Sequence, residues 1–356
     1  MCACTKVAEL DLAPCPRLRH LDCRRTDIVD LDLSPCPHLA YLDCSANAIE
    51  ELDLSHCVCL THLVCDTSSV DELDVSYCPQ LTRIDFSNTS IDITSLDLAA
   101  CTSLRHLSCG YNSVTALDLS AWPLLEHLDC TNNELTTLDL AACPGLEHLC
   151  CACNDLTALD LAACPGLEHL DCGCNDLTAL DVTACPRLVH LDCSWNKELA
   201  ALPITACPQL RHLDCSGCAL SALVLPGCPL LKNLDCRMNR EFVALPLAAC
   251  PLLRYLDCSE CAVCALDLAG CPLLEELHCG LNSGLTALSI AACPRLCRLD
   301  CRGCAVNTLG LAGCPQLEDL YCDSPLAQVL DLERYPQMMV MTEPESGDLW
   351  CKHHWD

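Results

Sequence analysis

Histidine returns along this chain at one fixed place in a recurring phrase, at His20 and His62 and then without a break at His106, His127, His148, His169, His190 and His212. Aspartate returns two residues further on, at Asp22, Asp43, Asp85, Asp129, Asp171, Asp192, Asp214, Asp235, Asp257 and Asp300. Imidazole beside carboxylate can form ion pairs, take up protons near neutral pH or bind a divalent cation. Two aromatic residues, Tyr111 and Trp195, lie next to these columns. Trp195 stands where neighbouring phrases hold Cys174 or Gly217, so repetition did not supply it. Exposed rings of this kind anchor interfaces. The candidate partner-binding residues are therefore His106, Tyr111, His127, Asp129, His148, His169, Asp171, His190, Asp192, Trp195, His212 and Asp214. The bland alternative is that both columns are copied residues pairing with each other on a solvated surface.

Metal chemistry is the next possibility. His148, Cys150 and Cys153 lie near His127, Asp129, His169, Asp171 and Cys174, and imidazole with thiolate or carboxylate suits zinc and related ions. A regular grid spaces its donors at lattice distance, however, and does not converge them to ~2.0–2.3 Å around one ion. The pairs Cys215/Cys218, Cys258/Cys261 and Cys301/Cys304 have zinc-motif spacing, but their cysteines fall on inward columns and the pairs are two coils, roughly 10 Å, apart. Cys351, His353, His354 and Asp356 form a loose donor cluster in the tail. The sequence contains no Walker loop, no H-E-x-x-H and no G-x-S-x-G, so neither an enzyme nor a cofactor is expected.

The elements that hold these residues follow from the period. The phrase L-x-x-L-D-C-x-x-N returns fifteen times, mostly in steps of 21 residues. Each unit adds a second half, L-x-x-L-D-L-x-x-C-P, as in Leu167 to Asn175 followed by Leu177 to Pro186. This period is the signature of a leucine-rich repeat solenoid. A curved right-handed superhelix of about fifteen 21–22-residue coils is expected, with a parallel β-sheet on the concave side, short extended or 3-10 segments on the convex side, and few helices. Both halves alternate apolar and polar residues around a central leucine, so two parallel sheets are predicted. The LDC half is the better match to the concave strand. The Asn column should turn its amide inward to satisfy the turns from coil to coil, with Thr26, Thr89 and Cys218 as partial substitutes. Later in the chain, units beginning at Cys193, Cys236 and Cys279 run to 22 residues and alternate with 21-residue units, a block of 43 copied as a pair. The repeats are expected to fill residues 1–332, and residues 333–356 to form a C-terminal cap or tail.

Forty cysteines would suggest disulfides in a small secreted protein, but here they occupy repeat columns. In-register side chains of neighbouring coils keep Cβ atoms about 4.8 Å apart, beyond the disulfide mean of ~3.8 Å. The thiols are expected to stay reduced and pack as small hydrophobes. Acidic residues outnumber basic ones 49 to 19, for a formal charge of −30, which disfavours nucleic acid and anionic membranes and favours a basic protein partner. No signal peptide or membrane-spanning window is seen, so a cytoplasmic protein, or one translocated into a host cell without a cleaved signal, is expected. With residues 1–6 entering the pattern at once, the first coil around Leu10, Leu12 and Leu18 is expected to be uncapped and to self-associate weakly.

The phrases Leu42-Asp43-Cys44-Ser45-Ala46-Asn47 and Leu73-Asp74-Val75-Ser76 resemble the cysteine-ladder repeats of bacterial internalin-J-like proteins over roughly residues 7–332. The resemblance implies a leucine-rich repeat surface and, in that family, adhesion or invasion. Those proteins carry a signal peptide, a helical cap and a wall anchor, which this sequence does not show. The expectation is therefore a protein-protein interaction module with a His/Asp-rich acidic face. The alternatives are a metal-binding or metal-sequestering protein, and a translocated bacterial effector that binds a host protein.

Overall fold

The computed structural model describes residues 10–70, 72–89, 91, 98, 100–331 and 335–342. Contacts divide the chain into two compact units, Met1–Leu210 and Arg211–Asp356. Both are parallel β-solenoids of the expected kind, with about fifteen turns in all and almost no helix.

In the first unit the strands are His20–Asp22, Tyr41–Asp43, His62–Val64, Arg83–Asp85, His106–Ser108, His127–Asp129, His148–Cys150, His169–Asp171 and His190–Asp192. They pair in parallel with like residues opposite, as in His169↔His190, Leu170↔Leu191 and Asp171↔Asp192. The second unit repeats the arrangement with His212–Asp214, Asn233–Asp235, Tyr255–Asp257, Glu276–His278, Arg298–Asp300, Asp319–Tyr321 and Met339–Met341. Among its described residues the one α-helix is Ser324–Val329. Met339–Met341 pairs with Asp319–Tyr321 and lies in the segment expected to cap the stack. Residues 1–6 and the cluster Cys351, His353, His354 and Asp356 lie outside the described residues.

Each strand of this sheet is three residues long, and its central residue, leucine in most, points inward. Leu149, Leu170 and Leu191 are completely buried, and so are the cysteines that follow them, Cys151, Cys172 and Cys193. The thiols complete two polar ladders. Strand-side thiols donate forward, Cys172 Sγ to Asp192 O at 3.4 Å. Thiols of the Cys-Pro column donate back, Cys185 Sγ to Cys164 O at 3.5 Å. Every described cysteine is a free thiol, and burial raises ladder thiols such as Cys57, Cys143 and Cys164, each pushed up to about 11.

The Asn column works as the sequence suggests. Asn175 Nδ2 donates to Cys151 O at 3.0 Å, Cys172 O at 3.1 Å and Gly173 O at 3.1 Å, while its Oδ1 accepts from Leu156 N at 3.0 Å. Thr89 keeps only part of this set, with Oγ1 donating to Phe86 O at 2.8 Å.

The second predicted sheet does not form along the stack. Among the described residues it is limited to Glu51–Leu52 beside Glu72–Leu73 and one bridge, Ala244↔Ala265. A second aspartate column caps the bend that follows these segments, including Asp53 and Asp74 beside the short pair. Asp139 and Asp160 turn back to accept the amides of Ala141 and Ala162, each at 2.9 Å. The chain then bends at once, with Cys143 N donating to Leu140 O at 2.9 Å. Where Pro203, Pro246 or Gly310 replaces that aspartate, the bend tightens into a 3-10 turn at Ile204–Ala206, Leu247–Ala249 or Leu311–Gly313.

The 22-residue units absorb their extra residue just after the asparagine. In 21-residue units the next amide bonds to the preceding coil, as Asp176 N does to Leu156 O at 2.9 Å. In 22-residue units the chain closes on itself instead, with Leu199 N on Asn196 O, Phe242 N on Asn239 O and Leu285 N on Asn282 O, all at 3.0 Å.

Candidate functional site

The alternation that buries each strand leucine turns the residues on either side of it to the opposite face. His106, His127, His148, His169 and His190 all lie half-buried on this face of the first unit. The coil repeat places each imidazole over the next. Ring centroids are 4.2 Å apart for His106–His127, 4.3 Å for His127–His148 and 4.3 Å for His169–His190. Between His148 and His169 the stack opens to 5.8 Å. His169 Nδ1 is buried there with no hydrogen-bond partner.

The aspartate column serves the backbone first. Oδ1 of Asp129 accepts from Thr131 N at 3.0 Å, that of Asp171 from Gly173 N at 3.2 Å, and that of Asp192 from Ser194 N at 2.9 Å. In the second unit His212 is half-buried on the strand face, and the buried Asp214 accepts from Ser216 N at 2.9 Å. The aspartates are therefore turn caps as well as surface charges, and Asp22, Asp43, Asp214, Asp235 and Asp257 are buried, not solvated.

Tyr111 is 59% exposed, whereas Trp195 is half-buried and not the fully exposed ring its position suggested. Both occupy a left-handed turn, at φ 58° and 59°. This is a column in its own right. Arg25, Ala46, Thr67, Asn88, Asn132, Cys153 and Cys174 share the conformation, which for non-glycine residues costs of order 1 kcal/mol each. The turn persists because its amide enters an inter-coil bond, such as Tyr111 N to Thr131 O at 2.7 Å.

Burial sets the electrostatics of the imidazole column. It draws His106, His127 and His190 below the ordinary histidine range, and His169 down to about 4; neighbouring imidazoles add to the effect at His106, His127 and His169, and Asp192 opposes it at His190. These groups take up a proton less readily than an unperturbed imidazole.

A hollow of about 360 Å³ runs along the stack, lined by Arg83, His106, His127, His148 and His169 and floored by Ser108, Asp129 and Cys150. Ser108 and Cys150 stand where other coils have aspartate, and Arg83 where others have histidine. The sequence signal for these three was a departure from the repeat, not the repeat itself. Cys150 is no activated nucleophile, since burial and then Asp129 and Asp171 push its thiol up to about 12. Among the described residues no group of three or more His, Cys, Asp or Glu could hold a metal ion. No described helix is long and apolar enough to cross a membrane. The arrangement can donate and accept hydrogen bonds along a strip of stacked imidazoles, with Arg83 as a fixed cation at one end.

A family model, "Leucine Rich repeats (2 copies)", matches residues 102–142. No curated protein sequence matches the chain. Among solved structures, the internalin InlF of Listeria monocytogenes superposes with TM-score 0.69 at 18% identity, over 85% of this chain and 86% of its own. The plant peptide hormone receptor RGFR1, in complex with RGF2, superposes with TM-score 0.64 at 19% identity, over 82% of this chain and 57% of its own. These two share the fold. The functional domain of InlJ from Listeria monocytogenes, which includes a cysteine ladder, superposes with TM-score 0.82 at 30% identity, over 86% of this chain and 68% of its own. With its two thiol ladders, its asparagine column and that degree of identity over that length, the chain belongs to the internalin-like leucine-rich repeat proteins with a cysteine ladder.

Proposed function

We propose that the chain is a protein-interaction module that acts by binding, and that the contact surface is the strand face of its first unit, from Arg83 to Trp195. The observation that carries this reading is the run of stacked imidazoles beside a hollow, with His169 Nδ1 left without a partner. A buried polar atom costs about 1–3 kcal/mol when unsatisfied, and a partner group entering the hollow would remove that cost. Tyr111 and Trp195 flank the strip as anchors, and Asp129, Asp171 and Asp192 give it an acidic border suited to a basic partner segment. RGFR1, of the same fold, is solved with RGF2 bound, in keeping with a repeat face that receives a ligand.

The test is affinity capture with the whole chain, followed by titration of the captured partner. Trp195→Ala should weaken binding by about 30-fold, roughly 2 kcal/mol, and joint replacement of His148 and His169 by Ala should weaken the same complex. Asp160→Ala, on the opposite side of the coil, should bind normally. Loss of binding in Asp160→Ala with normal binding in the strand-face variants would place the surface on the other half of the repeat.

A further inference from the structure

In two consecutive coils the left-handed turn after the strand carries cysteine. Cys153 has φ 54° and Cys174 φ 51°, and both are exposed. Their backbones are fixed by the same ladder, Cys153 N donating to Gly173 O at 2.9 Å and Cys174 N to Ser194 O at 2.8 Å. The two thiols are close enough for Cys153 to raise the pKa of Cys174. Buried ladder thiols behave differently and donate to main-chain carbonyls, as Cys164 Sγ does to Cys143 O at 3.7 Å. The same turn holds Asn132 one coil earlier and Trp195 one coil later, so this column confines the thiols to a pair.

Distance decides what such a pair can hold. Coils repeat at about 4.8 Å, and a disulfide asks for Cβ atoms near 3.8 Å. Structural zinc asks for four converging donors, and the described residues offer no group of even three. Two thiolate–metal bonds of about 2.3 Å laid end to end span about 4.6 Å, close to one coil spacing of about 4.8 Å.

We propose that Cys153 and Cys174 form a linear two-coordinate site for a soft monovalent cation of the copper(I) class. On binding, each S–H bond breaks and an S–metal bond forms, two protons pass to solvent, and no electron changes hands. Thiolate ligands select copper(I) over harder ions. Partial desolvation and the neighbouring Cys153 thiol push the Cys174 thiol up to about 11, so at neutral pH that thiol keeps its proton and is slow towards oxidants, while a soft ion can still displace it. The site is independent of the imidazole strip and does not rest on its reading as a partner surface.

The experiment uses the full-length reduced protein without oxygen, offered copper(I) against an excess of a bidentate copper(I) chelator. The wild type should retain one equivalent that Cys153→Ser, Cys174→Ser and the double variant lose, with their thermal unfolding unchanged. Cys264→Ser, at another exposed cysteine, should keep it, and zinc at the same concentration should not displace it. Cys174→Asn, which copies Asn132, is a second variant in case serine disturbs the turn. Retention of the full equivalent by the double variant or by Cys174→Asn overturns the proposal. So does closure of a Cys153–Cys174 disulfide, seen as the loss of two hydrogens from the linked peptides, when oxidised glutathione is added without copper.

Discussion

Asn175 is 5% exposed and joins two coils through one amide, with two hydrogen bonds to carbonyls of its own coil, one to the coil before and one from that coil's Leu156 N. Asn175→Ala leaves all four backbone groups without that partner, and the expected loss is about 3 kcal/mol, read as a lower urea midpoint at an unchanged slope. Asn175→Thr should lose about half as much, because Thr89 shows that a hydroxyl recovers the bond to the strand-side carbonyl. At His169 the prediction concerns pH. Its folded pKa is lowered to about 4, mainly by burial, against about 6.5 when unfolded. The unfolded chain therefore binds the proton more readily, and stability is full above about pH 6.5 and falls as pH drops towards 4. After allowance for solvent screening the contribution is roughly 1–2 kcal/mol. His169→Gln should flatten the dependence of the melting temperature on pH between 7 and 4.5, and an unchanged slope would show that the ring is better solvated than its burial implies.

At the level of elements, the turns tolerate what the strands cannot. Lys197 lies in the extra turn of a 22-residue unit, where Leu199 N closes on Asn196 O. Its deletion restores the 21-residue spacing, in which the amide after the asparagine bonds to the preceding coil, and should cost under about 1 kcal/mol with cooperative unfolding retained. Deleting Leu170 shifts the strand by one residue and sends His and Asp inward, so that the variant should lose its far-UV signature or fail to express soluble. Equal tolerance of both deletions would mean that the strand register is not fixed by the leucines. The contrast also explains what could be read from the sequence. The strand column was legible because leucine and cysteine recur at fixed places and burial admits little else. The left-handed column was not, because Arg25, Thr67, Tyr111 and Trp195 have no composition in common; the inter-coil amide bond imposes the conformation on whatever residue is present. The second sheet was over-read because period-two alternation looks the same in a paired strand and in an extended segment bent by an aspartate cap. The hollow escaped notice because Ser108 and Cys150 mark it only by not being aspartate.

For the molecule as a whole, the formal charge of −30 and the thiol ladders make separable predictions. Like-charge repulsion is screened within about 10 Å at 0.1 M salt, so the melting temperature should rise between about 10 mM and 0.5 M sodium chloride, and binding of a basic partner should weaken over the same range. The thiols give the sharper test. A cysteine reacts with an alkylating reagent only if it is reached and ionised, and the ladder opposes both. Cys172 and Cys185 are completely buried, their thiols are engaged by carbonyls of neighbouring coils, and burial drives Cys185 up to about 12. The exposed Cys15, Cys153 and Cys264 should react first in the native protein and the exposed Cys174, pushed up to about 11, after them, with Cys2, Cys4 and Cys351 outside the described residues. The ladder thiols should react only as fast as the stack opens, and nearly all forty cysteines should react at once in denaturant without reductant. Mass spectrometry of peptides labelled before and after unfolding separates the two classes. Rapid labelling of Cys172 and Cys185 in the folded state would show that the coils part locally at low cost. Resistance of most cysteines to labelling in denaturant would show that they are paired, and the ladder could not then be a packed column of free thiols.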